Sequence, residues 1–99
     1  MGQKERVLSL EHDGTVYNLT ARDFTAIDDL EVHRACGVTI ADVFFHGRVS
    51  LFTMAALVWR YRVNDGEDTL TYLDVAKTFT FDSIETVQDE ARETSAPEV

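Results

Sequence analysis

The chain has 99 residues, 44% hydrophobic and 27% charged, a composition typical of a folded domain and not of a disordered chain. Eighteen acidic residues against nine Lys and Arg give a formal net charge of -9, which disfavours nucleic-acid binding because phosphate backbones repel such a surface. No apolar run approaches the roughly 20 residues that cross a bilayer, so we expect one domain with a modest core and no membrane span.

A β-hairpin is predicted at the start of the chain. Apolar and polar residues alternate from Arg6 to Glu11, and Asp13-Gly14 is a strong two-residue turn. Thr15 to Leu19 continues as the second strand. Because an isolated hairpin is marginally stable, we expect it to pack on helices or on another copy.

Two helices are predicted next. Thr20, with Asp23 three residues later, resembles a capping box and starts the first helix, and Gly37 ends it. The buried edge of this helix is expected to consist of Phe24, Ile27 and Leu30. Thr39 opens a second, shorter helix that ends at Gly47. Its inward-facing residues are expected to be Ile40, Val43 and Phe44.

The most informative segment is the helix predicted over Val49 to Tyr61, with Ser50 as its cap. One apolar stripe recurs at spacings of three and four: Leu51, Met54, Ala55, Val58 and Tyr61. A second strip lies beside it: Phe52, Ala56 and Trp59. A helix that is apolar over so much of its circumference must be covered on more than one face. A chain of this size has little protein left to cover it, so we expect a partner to do so.

Two further helices are predicted after the turn at Asn64-Asp65-Gly66. Thr71 and Asp74 cap the first, whose apolar stripe consists of Tyr72, Val75, Ala76 and Phe79. Asp82 and Glu85 form the best capping box in the sequence and open a final helix that contains Ile84, Val87 and Ala91.

The expected fold class is therefore α+β, mainly α with a short N-terminal β-hairpin. We expect residues 1–93 to form a single domain, a small helical bundle of about four to five short helices, and residues 94–99 to form a disordered tail.

No motif indicates catalysis, a cofactor or a metal. His33 and Cys36 can share a helix face, but two ligands do not build a tetrahedral zinc site. The acidic segment 65–71 does not fit the register of a calcium-binding loop. Ser50 and Ser83 suit helix caps, and no nucleophile elbow surrounds either. We therefore expect a non-enzymatic protein.

The order of these segments resembles the tail assembly chaperones of long-tailed bacteriophages. The similarity lies in LTARDF (residues 19–24), ACGV (residues 35–38), AALVWRYRV (residues 55–63) and LTYLDVAKTF (residues 70–79). These are packing patterns and caps, not catalytic signatures. Tyr72-Leu73 departs from the acidic or polar residues that often occupy those positions in the family.

The resemblance implies a protein that binds the long, helical tape measure protein in the host cytoplasm, keeps it soluble and helps to recruit tail tube subunits. It also implies self-association, and absence from the mature virion. The sequence is compatible with this function, because an uncovered apolar face can receive client helices while an acidic exterior opposes aggregation.

Four large aromatic residues are predicted to form the surface for the client or for self-association: Phe45, Phe52, Trp59 and Tyr61. The alternative for each is burial in the core, since large aromatic side chains fill cores first. Two other functions stay open at this stage. One is a structural tail component, tube-associated or a tail completion protein, that is retained in the virion. The other is an acidic DNA mimic, which the scattered positions of the acidic residues disfavour.

Overall fold

The chain opens with the predicted β-hairpin. In the computed structural model, which describes residues 6–89 and only the backbone of residues 84–89, β1 (Arg6–His12) pairs antiparallel with β2 (Thr15–Leu19). Asp13 and Gly14 connect the strands with φ angles of 54° and 82°. Two successive positive φ angles define the turn whose twist matches that of the flanking strands. The predicted hairpin is therefore confirmed.

A third strand replaces the predicted final helix, and this prediction was wrong. Ile84–Asp89 forms β3, which pairs antiparallel with the other edge of β1, so that the strand order is β2-β1-β3. The β-branched residues in its sequence, IETVQD, favour this state, and the free edge of β1 supplies the backbone partners. Ala91, the last residue assigned to that helix, and the predicted tail at residues 94–99 lie outside the described residues.

The described residues also form four α-helices and two short 3₁₀ turns, which gives an α+β fold as predicted. The helices are α1 (Ala26–Cys36), α2 (Ile40–His46), α3 (Leu51–Asn64) and α4 (Tyr72–Ala76). The 3₁₀ turns are Ala21–Asp23 and Phe81–Ser83.

The same reciprocal cap begins five of these segments, each with a Thr or Ser and a side chain three residues later. α1 begins later than predicted, because the box at Thr20 caps only a 3₁₀ turn and Phe24 then adopts extended backbone. Thr25 and Asp28 form the box that starts α1. The predicted stops at Gly37 and Gly47 are confirmed, since both glycines adopt the left-handed conformation.

The core is built around α3, with α1 and α4 packed against it and the inward face of the sheet beside it. Every residue of α3 from Thr53 to Trp59 is buried. The rest of the core comes from β1, β2, the other helices and the adjoining turns: Leu8, Leu10, Leu19, Val32, Val38, Ile40, Val43, Phe44, Val75 and Phe79. The chain thus covers α3 from Thr53 to Trp59 itself, whereas Phe52, in the second predicted strip, is 50% exposed.

α1 buries a different face from the predicted one. Ile27 and Leu30 are 59% and 45% exposed, whereas Asp28 and Val32 are fully buried. Phe24 is half-buried, with its ring centroid 6.3 Å from that of Phe44. The carboxylate of Asp28 can take an inward position because Arg60 and Asn64 of α3 donate hydrogen bonds to it.

The carboxylate of Asp28 joins α1 to the C-terminal half of α3. Its Oδ1 accepts a hydrogen bond from Nε of Arg60 at 2.9 Å, and Nδ2 of Asn64 donates to Oδ2 at 2.9 Å. The backbone N–H of Thr25 also donates to Oδ2, at 2.8 Å. Both oxygens are thus satisfied and the charge is paired, which a buried carboxylate requires.

These contacts decide the ionisation of Asp28. Burial alone raises the pKa of this carboxyl, but the hydrogen bonds from Thr25, Arg60 and Asn64 and the charge of Arg60 outweigh it. The pKa of Asp28 therefore lies below its ordinary value of 3.8. The pKa values of the capping carboxylates Asp42 and Asp74 are also lowered, first by the backbone N–H groups of Thr39 and Thr71.

Removing the Asp28 carboxylate is expected to destabilise the fold. Asp28→Ala leaves the guanidinium of Arg60, which is 11% exposed, without its buried partner. We expect the free energy of unfolding to fall by about 3 kcal/mol, as for other broken buried ion pairs. Urea unfolding followed by circular dichroism measures this. The control is Glu31→Ala, which removes an exposed pair with Arg34 and is expected to cost less than about 0.5 kcal/mol. Equal losses for the two variants contradict the assignment.

The same carboxylate predicts a dependence on acid. A carboxyl whose folded pKa is depressed contributes stability above its unfolded pKa of about 3.9, and this is lost as the pH falls through the folded value. The stability difference between the wild type and Asp28→Asn should therefore be largest at neutral pH and shrink below about pH 4. Urea midpoints measured between neutral pH and strong acid test this, and a difference that stays constant across the range rules it out.

Candidate partner-binding surface

α2 is held in place at its first turn. Oδ1 of Asp29, the residue after Asp28 in α1, accepts a hydrogen bond from the backbone N–H of Ile40 at 2.7 Å. Ile40, Val43 and Phe44 are buried, as predicted. With that face of α2 directed inward, Phe45 is left 65% exposed.

Phe45 contributes to an open groove between α2 and the start of α1. The groove has a volume of about 260 Å³. Its lining residues are Ala21, Phe24, Thr25, Ala26, Asp29, Ile40, Ala41 and Phe45. Most of these side chains are apolar, so the groove, called the Phe45 groove below, offers a place for an apolar side chain from another molecule.

Carboxylates lie in the lining of this groove and on the elements that adjoin it. Asp29 lines it, Asp23 caps the adjoining 3₁₀ turn, and Asp42 caps α2. His46 follows on the next turn of α2, with its Nδ1 3.5 Å from Oδ1 of Asp42. The groove therefore combines an apolar floor with one lining carboxylate, that of Asp29.

Phe52 is exposed on a neighbouring element. It lies in the first turn of α3 and is 50% exposed. The hydroxyl of Tyr72 donates a hydrogen bond to the carbonyl oxygen of Phe52 at 3.1 Å, which ties the start of α4 to the start of α3. Leu73, next to Tyr72, is 66% exposed. Phe52 and Leu73 thus add exposed apolar surface where these two helices begin.

Trp59 does not belong to the surface, so its predicted place there is corrected. It is 9% exposed, and its Nε1–H donates to the carbonyl oxygen of Leu70 at 2.9 Å. The ring of Tyr72 packs edge-on at 5.9 Å between centroids, and the guanidinium of Arg60 lies 4.9 Å from the ring centroid. The residue is a core anchor for the loop between α3 and α4.

Tyr61 lies in a different environment from Phe45. It is half-buried and packs edge-on against Tyr17 of β2, with 5.7 Å between ring centroids. It lines a second cavity, beside β2, which contains none of the residues of the Phe45 groove. The four predicted aromatic residues therefore do not form one surface.

His12 is a buried polar residue whose position sequence reasoning missed. Its Nδ1 lies 3.0 Å from Nη1 of Arg62, and its Nε2 lies 2.7 Å from Oγ1 of Thr78. A guanidinium only donates hydrogen bonds, so Nδ1 accepts and Nε2–H donates to Thr78. The hydroxyl of Thr78 then donates to the carbonyl oxygen of Val75. His12 thus links β1 to α3 and to the end of α4.

Cys36 and Ser83 also make structural contacts. The Cys36 thiol donates to the carbonyl oxygen of Val32, and burial raises its pKa, which disfavours the thiolate. Oγ of Ser83 accepts from the backbone N–H of Thr80. Among residues 6–83, whose side chains the structure describes, no group of three or more His, Cys, Asp or Glu residues is placed to hold a metal ion.

The helices of residues 6–89 were compared with the requirements of a membrane span. No single one is long and apolar enough; α2 and α3 taken together meet the length and composition criterion, with a bend of 119° between them.

The chain was also compared with known proteins. No protein family, no curated protein and no solved structure matched it.

The contrast between surface and core aromatic residues predicts their effects on stability. Phe45→Ser removes a side chain that is largely in solvent, so the free energy of unfolding should change by less than about 0.5 kcal/mol. Trp59→Ala leaves a cavity and should cost about 3 to 5 kcal/mol. Thermal or urea unfolding measures both. Phe81→Ser, at a residue that is 75% exposed, is the matched control for Phe45→Ser. If Phe45→Ser lowers the free energy of unfolding as much as Trp59→Ala does, the assignment of Phe45 to the surface and Trp59 to the core is refuted.

Proposed function

We propose that this protein is a non-enzymatic assembly chaperone that binds apolar helices of a client protein. The observation that carries the proposal is the Phe45 groove, an open and mainly apolar groove whose lining includes the carboxylate of Asp29, in a chain whose formal net charge is -9. Phe45 is 65% exposed, so most of its side-chain surface is not buried in the fold.

The dimensions of the groove favour side chains over a small molecule. Small-molecule pockets typically have volumes of about 300 to 1,000 Å³ and enclose most of their ligand. The Phe45 groove, at about 260 Å³, is smaller and open. An amphipathic helix uses such grooves by inserting apolar anchors at spacings of three and four residues. Phe52 and Leu73 offer further apolar contacts at the starts of α3 and α4.

The charge of the domain supports the same function. An excess of carboxylates keeps the protein and an apolar client in solution through mutual repulsion between complexes. The carboxylate of Asp29 and the excess of acidic residues in the chain also favour a client helix that carries Lys or Arg beside its apolar face.

The client that we propose is the tape measure protein of a long-tailed bacteriophage, on the strength of the sequence resemblance. We place the chaperone in the host cytoplasm during tail assembly, with tail tube subunits as a second class of partner and with self-association as the means to cover Phe45 or Phe52 when no client is present. The hairpin and the short capped helices agree with the layout of that family as the resemblance describes it.

Co-purification with the tape measure protein of the same phage tests the proposal. Wild-type protein should retain the client in the soluble fraction, and Phe45→Ser should reduce the retained amount by about tenfold, the effect of losing one apolar anchor. Phe81→Ser is the control, because it removes an exposed phenylalanine that does not line the groove.

Two outcomes contradict the proposal. One is client retention that is the same for Phe45→Ser and wild type, with both variants folded by circular dichroism. The other is the presence of this chain in purified virions at a copy number comparable to that of tail proteins, which favours a retained structural component.

A further inference from the structure

β2 forms an open edge of the sheet. It pairs only with β1 among the described strands, because the strand order is β2-β1-β3. A two-residue turn makes the flanking residues, His12 and Thr15, a hydrogen-bonded pair, and the pairs then alternate along the hairpin. The backbone N–H and C=O groups of Val16 and Asn18 therefore point away from β1, and no hydrogen bond from the described residues reaches them.

This edge lacks the usual protection. Natural edge strands carry charged residues, proline or bulges that prevent pairing with other chains. β2 reads TVYNL, with no charged residue and no proline, and its register with β1 is continuous. The register shift in this sheet lies instead between β1 and β3. Val16, in the middle of this strand, is also 50% exposed.

A polar cavity of about 540 Å³ lies alongside this edge. Its lining residues are Thr15, Val16, Tyr17, Asn18, Tyr61, Arg62, Asp65 and Glu67. The aromatic pair Tyr17 and Tyr61 belongs to this lining, and the rest comes from β2 and from the C-terminal end of α3. A side chain of a strand added to β2 can enter this cavity.

The lining of the cavity has more acidic than basic side chains, which favours a cationic group in it. Arg62 is its only positive group among the lining residues, and it is already paired with Glu67 through two hydrogen bonds of 2.7 and 2.9 Å. Asp13 lies 3.6 Å from the same guanidinium. Asp65 makes no ion pair with any described residue. The C-terminal end of α3 adds the negative end of its dipole.

We propose that β2 is a docking edge for an extended, basic segment of a partner protein. The segment pairs with the outward backbone groups of Val16 and Asn18, and one of its Lys or Arg side chains enters the cavity beside Asp65. A second copy of this chain fits less well, because its β2 contains no Lys or Arg and the chain brings a formal net charge of -9. The site shares no lining residue with the Phe45 groove and does not depend on the proposed function.

Titration of the full chain with two synthetic peptides tests this docking edge. One is a short, acetylated peptide that alternates Val with Lys, and the other has Glu in place of Lys. Amide shifts in two-dimensional NMR should move first at Val16 and Asn18 with the Lys peptide, and raising the salt concentration should weaken binding. The Glu peptide should bind at least about tenfold more weakly, since like charges then face each other.

Variants separate the backbone contribution from the charge. Val16→Pro removes an outward N–H, a change that edge strands tolerate. It should weaken binding of the Lys peptide by up to about tenfold. Val16→Thr keeps the N–H and should leave binding unchanged. Asp65→Asn should reduce the preference for Lys over Glu by about two- to fivefold. If Val16→Pro does not fold, N-methylation of the peptide on its bonding edge removes the same hydrogen bonds without changing the protein.

Three results overturn the proposal. The first is equal affinity for the two peptides. The second is a set of shifts that excludes Val16 and Asn18, or binding that N-methylation leaves unchanged. The third is a dimer, detected by sedimentation, in which NMR shows the Val16 amide buried and which the Lys peptide does not dissociate. That result assigns the edge to a second copy of the chain.

Discussion

The buried carboxylate of Asp28 fixes the arrangement on which the candidate surface depends. It accepts hydrogen bonds from Thr25 at the start of its own helix and from Arg60 and Asn64 on α3. α1 is thereby held against α3 at one end. The neighbouring Asp29 then accepts the backbone N–H of Ile40 and so positions α2. A salt bridge of this kind adds little net stability over an apolar contact, but breaking it is costly, so it specifies how the helices pack.

The central part of the apolar helix α3 is covered by other elements of the same chain. α1, α4 and the sheet cover α3 from Thr53 to Trp59, and the loop after α3 adds the carbonyl group that satisfies the Trp59 indole. Exposed apolar side chains remain outside this covered stretch, on β2, α1, α2, α4, the first turn of α3 and the second 3₁₀ turn: Val16, Ile27, Leu30, Phe45, Phe52, Leu73 and Phe81. The buried residues from Thr53 to Trp59 are therefore not available as a surface for a partner.

The two open features of the domain suit two different kinds of segment. The Phe45 groove has an apolar floor, which fits the apolar face of a helix. The β2 edge has free backbone groups and a polar cavity, which fit an extended segment with a cationic side chain. Acidic groups adjoin both, in keeping with the excess of Asp and Glu over Lys and Arg.

The sequence by itself determined the features whose signals lie within a few residues: the turn at Asp13-Gly14, the stops at Gly37 and Gly47, the buried face of α2 and the α+β class. The tertiary structure alone decided the strand at Ile84–Asp89, the burial of Asp28 and the place of Trp59 in the core. Each depends on a remote partner: β1 for the strand, Arg60 and Asn64 for Asp28, and Leu70 for Trp59. A capping box or an apolar stripe reports local preference, but only packing decides which face is covered and which strand edge finds a partner.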